Sequence, residues 1–68
     1  MRLSARNQIK GVVTSVTKGA TTAHVRVDIG NQIITSSITN EAVDELGIKT
    51  GLNVTVVVKA SDVMIGVD

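Results

Sequence analysis

Three short segments of this 68-residue chain combine hydroxyl groups with positive charge or with free backbone N–H groups. They are Ser4, Ala5 and Arg6 before the first predicted strand, Thr39 at the start of the predicted helix, and Lys59, Ala60 and Ser61 after the fourth predicted strand. Cations, hydroxyls and helix N-termini are the donors that a small tetrahedral dianion requires. The segments therefore predict an oxyanion pocket, formed either within one subunit or between two.

A competing interpretation assigns these residues no ligand. Serine, threonine and lysine are common turn and capping residues at the ends of strands. On that interpretation Arg6 is a solvated charge near the start of the chain, and Thr39 only caps the helix.

Catalysis finds little support in the sequence. The only histidine, His24, lies at the centre of a strand's polar face with no nucleophile beside it, so we interpret it as a solvated or interface residue. The glycines suit turns and form no phosphate-binding loop, and a chain without cysteine has no thiolate metal site. We predict a protein that is not an enzyme, with no cofactor and no directly ligated metal cation.

Composition narrows the class of protein further. A net charge of +1 gives no broad positive field, and the absence of Phe, Tyr and Trp removes the stacking surfaces used by single-strand binders. These two features disfavour the alternative function, which is that of an OB-like nucleic-acid-binding module. No apolar run approaches the ~18 residues of a membrane span, and the first ten residues lack the apolar core of a signal peptide. We predict a cytoplasmic protein with no membrane contact.

The length allows one small domain, residues 1–68, with a limited core. Without disulfides, the usual remaining means of stabilising so small a chain is association with other copies. We therefore predict a homo-oligomer. Val57, on a mostly polar strand face, and Met64, opposite the core residues of the last predicted strand, are candidate interface positions.

Period-2 alternation of apolar and polar residues predicts five strands. They cover residues 7–17, 23–29, 32–38, 52–59 and 63–67, and Gly11 is expected to allow a bend or bulge in the first. The second is the clearest, with Ala23, Val25, Val27 and Ile29 on its buried face.

A short helix is predicted between the third and fourth strands. Ala42, Val43 and Leu46 have helical spacing, Thr39 is the N-cap, and Gly47 ends the helix. The order strand-strand-strand-helix-strand-strand is that of a five-stranded OB-like barrel, an all-β fold with one short helix. An open sandwich and a swapped-strand barrel are the alternatives.

Four motifs resemble those of one family. They are SARNQIKG at residues 4–11, ITNEAV at 38–43, LGIKTG at 46–51 and VVVKASDV at 56–63. In this order they are similar to the molbindins, small molybdate-binding proteins built from Mop-type domains. The first motif is quite specific, whereas the later ones are shared with related transport-associated barrel domains.

The resemblance implies that the protein binds molybdate, and tungstate, as intact oxyanions for intracellular storage or homeostasis. It also implies a hexamer, arranged as a trimer of dimers, with the oxyanion sites at subunit interfaces. Ser4 and Arg6 of one subunit, with the nearby Ala5 backbone, would meet a second contribution. That contribution comprises Thr39, Lys59, Ala60 and Ser61.

Overall fold

The computed structural model describes residues 1–68 as one antiparallel sheet with a short helix. The strands are β1 (Asn7–Lys18), β2 (Thr22–Asp28), β3 (Ile33–Thr39) and β4 (Asn53–Val58), the helix is α1 (Asn40–Leu46), and a 3₁₀ turn (Ala60–Asp62) follows β4. The sheet order is β3-β2-β1-β4. This arrangement confirms an all-β fold with one short helix, and the sheet curls into a half-barrel.

β1 is the longest strand, and it pairs with two neighbours along different parts of its length. Residues 7–12 pair with β4, whereas residues 12–18 pair with β2. A bulge between Val13 and Ser15 shifts the register with β2. The irregularity expected at Gly11 therefore lies just beyond it. A bulge increases the local twist of a strand, and this bulge lies where β1 changes its partner from β4 to β2.

Gly11 has a different role from the one its position suggested. A Cβ atom placed on Gly11 would lie 2.6 Å from Val27 Cγ1 and 2.7 Å from the carbonyl oxygen of Asp28. A glycine here allows the backbone of β1 to approach β2 more closely than any side chain permits.

We expect Gly11→Ala to lower the free energy of unfolding by about 1–3 kcal/mol, as overpacking in a folded core does. The Asp28 oxygen belongs to the backbone, so rotation of a side chain cannot relieve the contact. Urea denaturation measures the effect. Ser37→Ala is the control, because Ser37 is exposed on β3 and its side chain contributes to neither the core nor the hydrogen bonds. Equal denaturation midpoints for the two variants would show that the close approach has no energetic consequence.

The core is small and lies on the concave side of the sheet. Its five buried residues are all aliphatic: Val13, Ala23, Val25, Val27 and Val43. The predicted inward face of the second strand is thereby confirmed, with Ile29 packed against the cluster as a partly buried neighbour. His24 is exposed on the opposite face of β2, as its alternation predicted.

α1 begins and ends where the sequence predicted. Thr39 is the N-cap, and its Oγ1 accepts a hydrogen bond of 3.0 Å from the Ala42 backbone N–H. Gly47 ends the helix in the left-handed conformation, with φ of 64°. A seven-residue helix is marginal alone, and Val43 anchors it by burial against the sheet. The structure contains no helix long and apolar enough to cross a membrane.

The predicted fifth strand, residues 63–67, does not form within the single chain. After the 3₁₀ turn the backbone pairs with neither edge of the sheet, so the sheet has four strands and remains open. Met64, Ile65 and Val67 are 92%, 88% and 93% exposed. The alternation in residues 63–67 is a genuine strand pattern, but a strand also needs a partner edge, and none within the chain receives it.

Candidate functional site

Two of the three predicted segments meet at one hollow. β1 and β4 pair antiparallel with Asn7 opposite Val58, so the residues just before β1 lie beside those just after β4. The hollow measures about 440 Å³, and its lining consists of Ser4, Ala5, Arg6, Lys59, Ala60 and Ser61. Six of the seven predicted site residues therefore come together within a single chain.

The chemistry of this donor hollow (residues 4–6 and 59–61) is that of an anion site. Arg6 and Lys59 are the only charged residues that line it, and no carboxylate does. Ser4 and Ser61 add hydroxyl groups, which donate one hydrogen bond each. The arrangement can neutralise a dianion and direct several hydrogen bonds to its oxygens.

The 3₁₀ turn adds backbone donors to the hollow. The carbonyl groups of Lys59 and Ala60 accept hydrogen bonds of 2.9 and 3.2 Å from the N–H groups of Asp62 and Val63. The first N–H groups of such a turn have no acceptor within it and remain able to donate to a ligand. The donor that Ala60 can offer to a ligand is its backbone N–H, since its side chain is a methyl group.

Gln8 is a residue near the hollow to which the sequence assigned no role. Its Nε2 donates a hydrogen bond of 2.9 Å to the carbonyl oxygen of Ala5. Gln8 is exposed and stands opposite Val57 on the outer side of the β1–β4 pair. The bond links the carbonyl of Ala5 to the start of β1.

Thr39 is the predicted site residue that lies elsewhere. It ends β3 at the far edge of the sheet, paired with Thr22, whereas the donor hollow lies at the other edge, beside β4. Its Oγ1 accepts from Ala42 N, which leaves the hydroxyl proton free to donate. In the division that the resemblance implied, Ser4 and Arg6 face residues 59–61 across an interface. In this chain they share a hollow, and Thr39 alone is separate.

Asn40 fixes the position of Thr39, and sequence analysis missed it as well. Its backbone N–H donates to the Thr21 carbonyl at 2.9 Å, and its Nδ2 donates to the Gly19 carbonyl at 3.0 Å. Its buried Oδ1 has no partner within the chain. The signal available in the sequence was an amide residue directly after an N-cap, which is too common to single out.

A second, larger hollow of about 920 Å³ opens at another part of the half-barrel. Apolar side chains dominate its lining, including Ile29, Leu46, Ile48, Leu52 and Val54. Such a surface does not suit an oxyanion, which needs donors. No three His, Asp or Glu side chains come together anywhere in the structure to hold a metal ion.

A curled antiparallel sheet with a donor-lined hollow at its strand ends defines a class of protein, the small OB-like ligand-binding modules. Comparison with known proteins narrows the class. The TOBE domain profile matches residues 3–65. The chain therefore belongs to the TOBE domain family, and within it to the small Mop-type proteins, which confirms the resemblance to the molbindins.

Individual relatives support this membership along the whole chain. The molybdenum-pterin-binding protein 2 of Clostridium pasteurianum is 52% identical over 66 residues, 96% of this chain and 97% of the relative. A probable molybdenum-pterin-binding protein of Haemophilus influenzae is 41% identical over the full length of both chains. Among solved structures, MopII from Clostridium pasteurianum has a TM-score of 0.91 at 49% identity, covering 97% of this chain and all of the other. The cytoplasmic molybdate-binding protein ModG has a TM-score of 0.94 at 45% identity, and this chain spans 49% of it.

Proposed function

We propose that this protein binds molybdate as an intact oxyanion and performs no chemistry on it. One observation carries the proposal: the donor hollow is lined by two cations and two hydroxyls with no carboxylate among them. A tetrahedral dianion satisfies this donor set fully. Relatives described as molybdate-binding supply the identity of the ion. Tungstate has the same shape and charge, so the same site accommodates it.

The proposal includes self-association, with Thr39 completing the site from a neighbouring subunit. The donor hollow is open to solvent. A subunit interface excludes water and thereby strengthens each charge-assisted hydrogen bond. Thr39 has a free hydroxyl proton and lies too far across the sheet to serve the hollow of its own chain. A hexamer arranged as a trimer of dimers provides such subunit interfaces.

Exposed apolar surface supports the same assembly. The C-terminal segment (residues 63–67) exposes Val63, Met64, Ile65 and Val67, and the larger hollow exposes Leu46 at its rim. Only 5 of 68 residues are buried, which is a small core for an independent fold. A second copy that supplies its C-terminal segment as a fifth strand would cover this surface and complete an OB-like barrel.

The names of several relatives mention pterin, but the residues of this chain favour the oxyanion. A pterin is a flat heterocycle that aromatic side chains would stack against, and this chain has none. We propose a cytoplasmic role in storing or buffering molybdate, with residues 1–68 acting as one binding domain. The cytoplasmic assignment follows the description of ModG.

Titration calorimetry tests the proposal directly. We expect saturable heat when molybdate is added to the purified protein and much less heat for sulfate. A ligand that binds only the folded assembly also raises its stability, by about 2.7 kcal/mol when its free concentration is 100 times its Kd. Molybdate should therefore raise the thermal midpoint. A thermal midpoint that does not change with added molybdate, together with no heat, would contradict the proposed function.

A site shared between subunits makes a further demand on the same titration. The number of molybdate ions bound per assembly should depend on the number of subunit interfaces and not simply on the number of chains. Oligonucleotide retention is the parallel assay. Salt-sensitive retention without molybdate heat would favour the nucleic-acid alternative.

A further inference from the structure

Opposite charges lie at opposite edges of the sheet. The donor hollow, beside β4, is lined by the cations Arg6 and Lys59 and by no carboxylate. At the other edge α1 packs on β3 and β2, and its charged residues are all acidic: Glu41, Asp44 and Glu45. One chain therefore carries a basic site at one edge and an acidic helix at the other.

Glu41 is a charge of that helix without a partner in the chain. The single salt bridge of the structure joins Lys18 Nζ to Asp44 Oδ1 at 2.6 Å, and the exposed Glu41 carboxylate makes neither an ion pair nor a hydrogen bond. Glu41 stands two residues after Thr39, which the proposed function brings to the hollow of a neighbouring subunit. A neighbour that presents Thr39 to this hollow therefore also brings a carboxylate close to it.

The two cations of the hollow need a counter-charge at a subunit interface when no anion is bound. Arg6 and Lys59 lose water once a second surface covers the hollow, and a charge removed from water is costly unless it is paired. The Glu41 carboxylate has the opposite sign and belongs to the surface that covers them. Charge complementarity thus favours the α1 edge of a second copy as the occupant of this face.

We propose that Glu41 of the partner subunit balances Arg6 and Lys59 in the unloaded assembly and competes with molybdate for them. The inference rests on the proposed function and deepens it, because it assigns a residue that limits the affinity and favours release. Glu41 opposes the oxyanion by its charge and is not a ligand. The same carboxylate therefore has two effects of opposite direction, since it strengthens the unloaded assembly and weakens molybdate binding.

Glu41→Gln tests the inference because it removes the charge and keeps the length of the side chain. At a separation of about 8 Å, a unit negative charge lowers the affinity for a dianion about fourfold at ~0.01 M salt and about twofold at ~0.15 M. We expect Glu41→Gln to bind molybdate more tightly by these factors, in calorimetry at a protein concentration that maintains the assembly. Without molybdate, sedimentation velocity should show the variant dissociating at concentrations where the unaltered protein stays associated.

Glu45→Gln is the matched control, because it changes the net charge by the same amount. Glu45 is exposed on α1, has no salt bridge, and lies about 6 Å further along the helix from Thr39. It should raise the affinity by less than about twofold at either salt concentration. Glu41→Asp keeps the charge and should bind molybdate as the unaltered protein does. A thermal midpoint measured for each variant verifies that the fold is intact.

The outcomes separate this inference from the proposed function. An affinity that is unchanged or lower in Glu41→Gln would overturn the inference, and so would equal gains in Glu41→Gln and Glu45→Gln, which would come from net charge alone. Tighter binding without a weaker unloaded assembly would overturn the role as counter-charge. Failure of the unaltered protein to bind molybdate would instead contradict the proposed function itself.

Discussion

Replacement of Arg6 by alanine should lower the affinity for molybdate by roughly 10- to 100-fold, the range of a lost hydrogen bond to a charged group. Arg6 is one of two cations in the donor hollow, so its removal leaves Lys59 alone to balance a dianion. Calorimetric titration of molybdate measures the loss. Assembly should persist at high protein concentration, as measured by sedimentation or scattering.

Arg6→Lys distinguishes charge from geometry. Lysine keeps the positive charge but lacks the planar guanidinium fork, which donates two parallel hydrogen bonds to an oxyanion. We expect an affinity between those of Arg6→Ala and the unaltered protein. Arg26→Ala is the control for net charge, because Arg26 is exposed on β2 and does not line the hollow. If Arg26→Ala weakened binding as much as Arg6→Ala, the effect would come from the overall field and not from the hollow.

Local patterns in the sequence predicted most of the fold because those patterns follow from backbone geometry. Alternation in residues 23–29 marked the buried face of β2, and Thr39 and Gly47 marked the ends of α1. The role of Gly11 was not predictable in this way. Its need for close approach depends on Val27 and Asp28, which come near only after the sheet curls.

The candidate site, too, was predictable only where the chemistry of a short segment reveals its role. Residue chemistry identified the segments 4–6 and 59–61, and the antiparallel β1–β4 pairing then brought them together. The Gln8–Ala5 contact was missed because a glutamine on an exposed strand face has no pattern that reveals its partner. Thr39 is the opposite case, because the sequence identified the residue but its position in the fold does not match the prediction. Its chemistry suits the site, but a single chain cannot bring it there.

The second large effect is expected from a substitution in the C-terminal segment (residues 63–67). Val63, Ile65 and Val67 alternate as in a strand with one buried face, yet Ile65 is 88% exposed in the single chain. If a second copy buries this face, Ile65→Asp places an uncompensated charge in an apolar joint and loses the burial of a large side chain. We expect the assembly to dissociate to smaller species at concentrations where the unaltered protein stays associated, as measured by sedimentation velocity.

The conservative variant makes this prediction specific. Ile65→Val removes one methylene group and keeps the apolar strand face, so the assembly should persist, weakened by about 1 kcal/mol per joint. Dissociation has a consequence for binding as well. Because Thr39 reaches the donor hollow only from another subunit under the proposed function, Ile65→Asp should weaken molybdate binding although residue 65 does not line that hollow. Full affinity in a dissociated Ile65→Asp protein would show that residues 4–6 and 59–61 form a complete site within one chain.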